Sequence, residues 1–233
     1  MDARAATGPY SVAEGRTLRR ESVGYYYGQA LITTRAGADV VWLLLQYKVL
    51  TRTQASLMTG TSPGTIGDTM KNLYRLGYLD KLVIENAPSM YCAGPMMRSK
   101  YGLRAEEWQL PDALRLVAAN QMAAQFAARK VPFGYEVSQD AAATAYLTLN
   151  DRRYVVLAPR LCRNEEEWCR QAIGTFDDAR VIVVAATEEQ AGSVAEYVSD
   201  VGPQVRYAWD AALRDGAEFY KHTPKGFVLE KAY

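Results

Sequence analysis

The sequence predicts a mixed α/β chain (α+β overall) in two parts, a helix-rich first half and a sheet-rich second half. Two observations predict it. Apolar residues recur at helical spacing and then in short β-branched runs, which marks helices interleaved with strands. Charge also divides along the chain: residues 1–104 carry thirteen Lys/Arg and seven Asp/Glu, a balance of +6, whereas residues 105–233 carry fourteen and nineteen, a balance of −5. A length of 233 residues with 49% hydrophobic and 23% charged content suits folded domains and argues against disorder.

Several classes are excluded at the start. Apolar runs such as Val40–Leu45 fall far short of the roughly 20 residues a membrane span requires. The first thirty residues hold Arg4, Arg16, Arg19 and Arg20 without an apolar core, so no secretory signal and no membrane partner are expected. Cys92, Cys162 and Cys169 are spaced for neither zinc nor a disulfide framework and read as reduced thiols, so the expected location is the cytoplasm. With His222 as the only histidine, no metal, cofactor or His-dependent catalysis is expected. Gly60–Gly64 lacks the Gly-Lys-Ser/Thr of a phosphate loop.

In the first half, residues 1–23 read as a basic flexible arm. Tyr25, Tyr26, Tyr27 and Ile32 favour a strand over Gly24–Thr34, its tyrosines packed more readily than stacked on bases. Asp39 suits the cap of a buried helix ending near Tyr47, and Thr51 or Thr53 can cap a short helix over Gln54–Met58 that Gly60 ends. Ser62 as cap and Pro63 in the first turn open a longer helix, with Ile66, Met70, Leu73 and Leu76 on one face and Gly77 closing it. Tyr78–Glu85 and Met90–Ala93 read as a hairpin about Asn86–Ser89.

Helix, short helix, turn, longer helix and hairpin form the order of a winged helix-turn-helix, expected over residues 24–108. Its longer helix suits the major groove of double-stranded DNA. The expected DNA-binding residues are Arg52, Thr61, Ser62, Thr65, Thr69, Lys71, Asn72 and Arg75, with Lys81, Arg98 and Lys100 around the wing. Asp68 and Asp80 count against this, since they would repel phosphate if they faced it.

Leu50-Thr51-Arg52-Thr53-Gln54, Leu73–Leu79 and the wing's Met90-Tyr91 resemble the replication-relaxation family of plasmids and integrated conjugative elements. The resemblance implies a role in plasmid replication, relaxation, conjugative transfer or their regulation, and a second domain of restriction-endonuclease-like fold.

The second half reads independently as α/β over residues 109–215. The expected order is a helix from Ala113 to Arg129, strands at Tyr135–Val137, Ala143–Leu149 and Tyr154–Pro159, a helix at Glu165–Thr175, a strand at Val181–Ala186, a helix at Glu188–Val198 capped by Thr187, and a strand at Val205–Trp209. The positions where an active nuclease of that fold carries its carboxylates and lysine are Ala142–Tyr146 and Val155–Arg160, and they hold neither. No enzyme activity is therefore expected; Asp140 and Asp151 suit turns and caps. Residues 216–233 read as a C-terminal tail. A homodimer is expected because one reading helix buries little area, and the acidic domain is expected to recruit other proteins of a replication or transfer complex. The rival expectations are a transcriptional regulator whose second domain senses a ligand or protein, and a protein-interaction module.

Overall fold

The computed structural model describes residues 16–23, 32–85, 87–160, 164–176, 179–201, 204–214 and 216–230. They form two compact units, Arg16–Ala113 and the chain from Leu114 onward. Among the described residues there are seven helices and two sheets, a mixed α/β composition that fits the expected class.

The first unit runs β1 (Leu18–Glu21), α1 (Arg35–Tyr47), β2 (Val49–Thr51), α2 (Arg52–Thr59), α3 (Pro63–Arg75), β3 (Leu79–Ile84), β4 (Met90–Ala93) and α4 (Pro95–Tyr101). Its antiparallel sheet has the order β1-β3-β4-β2. Helix α1 starts four residues before Asp39, because the Thr34 hydroxyl accepts the Gly37 N–H at 3.1 Å. At α2 the choice falls on Thr51. Its hydroxyl accepts from the Gln54 N–H at 3.2 Å, and Gln54 Oε1 accepts from the Thr51 N–H at 3.0 Å, a closed capping box. Helix α3 has the expected boundaries. Ser62 accepts the Thr65 N–H, Pro63 sits in the first turn, and Ile66, Met70 and Leu73 are buried. Gly77, at φ 74°, closes it: the Tyr78 N–H reaches Leu73 O and the Gly77 N–H reaches Tyr74 O.

One expectation changes here, one lies mostly beyond the described residues, and one helix is additional. The strand expected over Gly24–Thr34 lies mostly outside the described residues. The expected arm contributes an ordered strand, since Leu18–Glu21 pairs with Ile84–Lys81. Helix α4 was not foreseen: it starts directly after the wing at Gly94-Pro95, where Gly94 lies so close to Gly77 and Leu79 that a Cβ would fall 2.5 Å from Gly77 O.

The second unit holds α5 (Leu110–Ala128, its first turn before the boundary), β5 (Gly134–Val137), β6 (Ala145–Leu149), β7 (Arg152–Leu157), α6 (Glu165–Thr175), β8 (Arg180–Ala185), α7 (Glu188–Tyr197), β9 (Val205–Trp209), β10 (Phe219–Thr223) and β11 (Gly226–Glu230). The sheet order is β11-β10-β9-β8-β7-β6-β5. β7, β8 and β9 are parallel, and antiparallel pairs extend both sides. On one face Val155, Leu157, Val181, Val183 and Tyr207 pack with Cys169, Ile173, Ala191 and Val194 of α6 and α7. The alternate residues Val156, Ile182, Val184 and Ala208 are equally buried, as continuous apolar strands require. The expected tail is instead a hairpin, β10–β11, whose aromatics join that core: Trp209 stacks on Tyr220 at 4.4 Å, and Phe227 packs on Tyr207 at 5.5 Å. Tail composition hid it, because Lys221, His222, Thr223 and Lys225 give the segment a polar look.

Candidate nucleic-acid interface

Helix α3 is anchored by Ile66, Met70 and Leu73, so 3.6-residue periodicity sets what it shows to solvent. Gly64, Asp68, Lys71 and Arg75 lie opposite the buried stripe and are exposed. Thr65, Thr69 and Asn72 lie on one flank, where with Ile32, Thr33, Thr34 and Gly37 they line an open groove of about 500 Å³. Gly67 and Tyr74 lie on the other flank. There the Arg52 side chain passes so close to Gly67 that a Cβ would meet its Cδ at 3.1 Å. Lys81 Nζ stands 4.4 Å above the Tyr74 ring. Tyr91 pairs across the wing with Lys81. Burial holds the Tyr91 hydroxyl above its ordinary pKa, and the nearby Arg52 charge opposes that shift.

The structure thus brings Arg52, Lys71, Asn72, Arg75 and Lys81 around α3. Tyr74 supports Lys81 and was missed, since a lone tyrosine in a helix reads as packing. Ser62 and Thr65 face solvent, but Ser62 Oγ already accepts the Thr65 N–H at 3.2 Å and lies 2.9 Å from Thr65 Oγ1, so both serve the cap first. Thr61 is half-buried, its carbonyl taken by Ser56 Oγ at 2.6 Å.

Arg98 is set apart from the cations around α3. It lies on α4, and its guanidinium turns inward: Nη1 donates to Asp80 Oδ2 at 3.1 Å and to Ala93 O at 2.6 Å. Arg20 joins from β1, with Nε 2.8 Å from the same Asp80 oxygen. Asp80 is fully buried, so it faces two guanidiniums and no incoming phosphate. Asp68, by contrast, stays on the exposed face of α3. Lys100 is exposed on α4 and lies near Tyr78 and Tyr101.

In the second unit Ala145 pairs with Val156 across β6 and β7, and Thr144 Oγ1 accepts the Ala158 N–H at 3.2 Å. Asp140 accepts from the Ala142 N–H, and Asp151 sits in the β6–β7 turn. Beyond the end of β7, Arg160 is fully buried. Its Nη1 donates to Pro159 O and Val184 O, and Nη2 stands 3.4 Å from Asp210. Nearby, Glu165 accepts from Arg115 at 2.7 Å. Burial pushes both the Glu165 and Asp210 carboxyls up, against the pull of Arg115 and Arg160 respectively. Sequence spacing could not assemble these four residues, which come from separate elements. No group of His, Cys, Asp or Glu among the described residues is arranged to hold a metal. The acidic balance of this half also conceals a cationic groove of about 500 Å³ lined by Arg152, Arg153 and Arg180 with Tyr146 and Phe176.

Comparison with family models, curated proteins and solved structures found no match. The site rests on its own geometry. No helix among the described residues is long and apolar enough to cross a membrane.

Proposed function

We propose that the protein binds double-stranded DNA, with α1–α3 and the β3–β4 hairpin acting as a winged helix-turn-helix. The observation that carries this reading is the cationic row on α3: Lys71 and Arg75 exposed opposite a buried stripe, flanked by Arg52 and Lys81. A helix of this kind enters a major groove about 12 Å wide, and its cations meet phosphates on either side. Asp68 on the same face disfavours close phosphate contact at that point and favours an amino-group donor on a base edge, such as the N4 amine of cytosine.

The second unit serves this function without catalysis, as a degenerate restriction-endonuclease-like core. The resemblance to the replication-relaxation family favours a role on a mobile element, in replication, transfer or their control. The functional form is a homodimer joined at β11, which ends the seven-stranded sheet with Val228 53% and Leu229 51% exposed. Antiparallel pairing about a two-fold at Val228 sets Phe227 of each copy against Leu229 of the other, so the strand is apolar and self-complementary at its centre.

The test is a mobility shift on duplexes from the gene's own neighbourhood, over a range of salt. Wild type should show a steep negative salt slope, and Lys71→Ala/Arg75→Ala should flatten it by about two phosphate contacts. Equal binding by the double variant at every salt concentration would refute this face. One observation favours a second reading: Trp42 on α1 is 63% exposed, as on a protein-docking helix. Binding of a protein partner that is insensitive to salt and lost in Trp42→Ala would favour it.

A further inference from the structure

A second cationic site lies in the first unit, away from α3. Arg20 of β1, Lys48 after α1, Arg98 of α4 and Arg104 converge on a pocket of about 150 Å³ with Trp108 at its wall. Ala93 also lines it, and Ala93 pairs with Leu79 at the end of the hairpin remote from the wing turn. Two carboxylates belong to the cluster. Asp80 is buried between Arg20 and Arg98, and Glu106 lies 3.6 Å from Lys48 Nζ at the pocket's edge. Four cations against two anions leave a formal surplus of +2.

Two further features go beyond neutralising Asp80. Arg98 uses only Nη1 within the unit, and neither its Nε nor its Nη2, nor any Arg104 nitrogen, has an acceptor among the described residues. Lys48, at the C-terminal cap of α1, has φ 65° and ψ −49°, in the region where glycine is the unstrained choice. A lysine there holds its backbone in a strained conformation, and its side chain lines the pocket.

We propose that this pocket binds a small phosphorylated ligand, with the dianionic phosphoryl group held by Lys48, Arg98 and Arg104. Guanidinium forks match phosphoryl oxygens in pairs. The volume is below the several hundred Å³ of whole-ligand pockets, so it admits an anionic head group and leaves the remainder of the ligand outside.

The probe is inorganic phosphate, titrated calorimetrically into the full chain at constant ionic strength kept with chloride. Wild type should bind it, and Arg104→Gln should weaken binding about tenfold. Lys48→Gly should weaken binding similarly while raising the urea midpoint, because the strain at φ 65° is relieved. Phosphate binding no stronger than chloride, or binding unchanged in both variants, would overturn the proposal. Duplex binding should be unaffected by these two changes. If it falls with them, the pocket is a contact for the DNA backbone and the small-ligand reading is wrong. Lys71→Ala/Arg75→Ala should take up phosphate as wild type does, so failure of the DNA reading would leave this site standing.

Discussion

Asp80 shows how one residue changes meaning once its neighbours are known. In the sequence it counts against phosphate binding; in the structure it is the buried anchor that joins β1, β3 and α4 through Arg20 and Arg98. Removing one member of a buried charge set leaves the others unpaired. Asp80→Ala should therefore lower stability by about 3 kcal/mol in urea titration, and Arg98→Gln by less, since Arg20 still serves the carboxylate. Gly94→Ala should also destabilise, by about 2 kcal/mol, because the new Cβ meets immovable backbone at Gly77 and Leu79. Cys92 and Cys169 are buried, and burial raises both thiols, Cys92 to about 12. In a Cys162→Ser background neither should react with a thiol reagent at neutral pH until the chain unfolds.

At the scale of elements, cap and turn chemistry was the most legible part. Ser62-Pro63, Gly60, Gly77 and Thr187 mark boundaries by satisfying or releasing particular backbone groups, and each does so where expected. Ser62→Ala should cost about 1 kcal/mol of stability, and should weaken duplex binding if the first turn of α3 meets the DNA. Between β6 and β7 the turn is tighter than expected. Asn150 and Asp151 take φ 48° and 58°, and Arg152 already pairs with Leu149. Asp151→Gly should raise stability by about 0.5–1 kcal/mol, since glycine occupies that conformation without strain. The β10–β11 hairpin carries a pH signature. Hydrogen bonds from Arg206, and then Lys221, hold the Glu230 carboxyl down from 4.5 to about 2. Its folded pKa lies below its unfolded one, so its contribution is complete above about pH 4.5 and is lost as pH falls towards 2. The stability difference between wild type and Glu230→Gln should shrink across that window in acid-side urea titrations.

For the whole molecule, the charge division survives in softened form. Counted by structural unit, Arg16–Ala113 has twelve Lys/Arg and eight Asp/Glu, or +4, which leaves fifteen against eighteen, or −3, for the remaining residues. The boundary falls in the first turn of α5, so Glu106, Glu107 and Asp112 belong with the basic unit. The proposed dimer is tested at this scale. Val228→Lys/Leu229→Lys should give a monomer in light scattering with unchanged far-UV circular dichroism, because lysine on an open edge blocks strand addition. A wild-type monomer at all concentrations would end the edge-pairing model.

Local rules determined the helices, caps and hairpins of this chain, because backbone groups and apolar spacing act within a few residues of themselves. They also located α3 and the cations that it exposes. Charges behave differently, since a side chain's role depends on what folds against it from elsewhere. Arg98 turning inward to Asp80, Lys48 strained at the edge of a cationic pocket, Arg160 entombed beside Val184, and a polar tail closing the sheet were decided only by tertiary structure. Each joins residues of separate elements, beyond the reach of local spacing, and a buried charge needs its partner wherever the chain brings one.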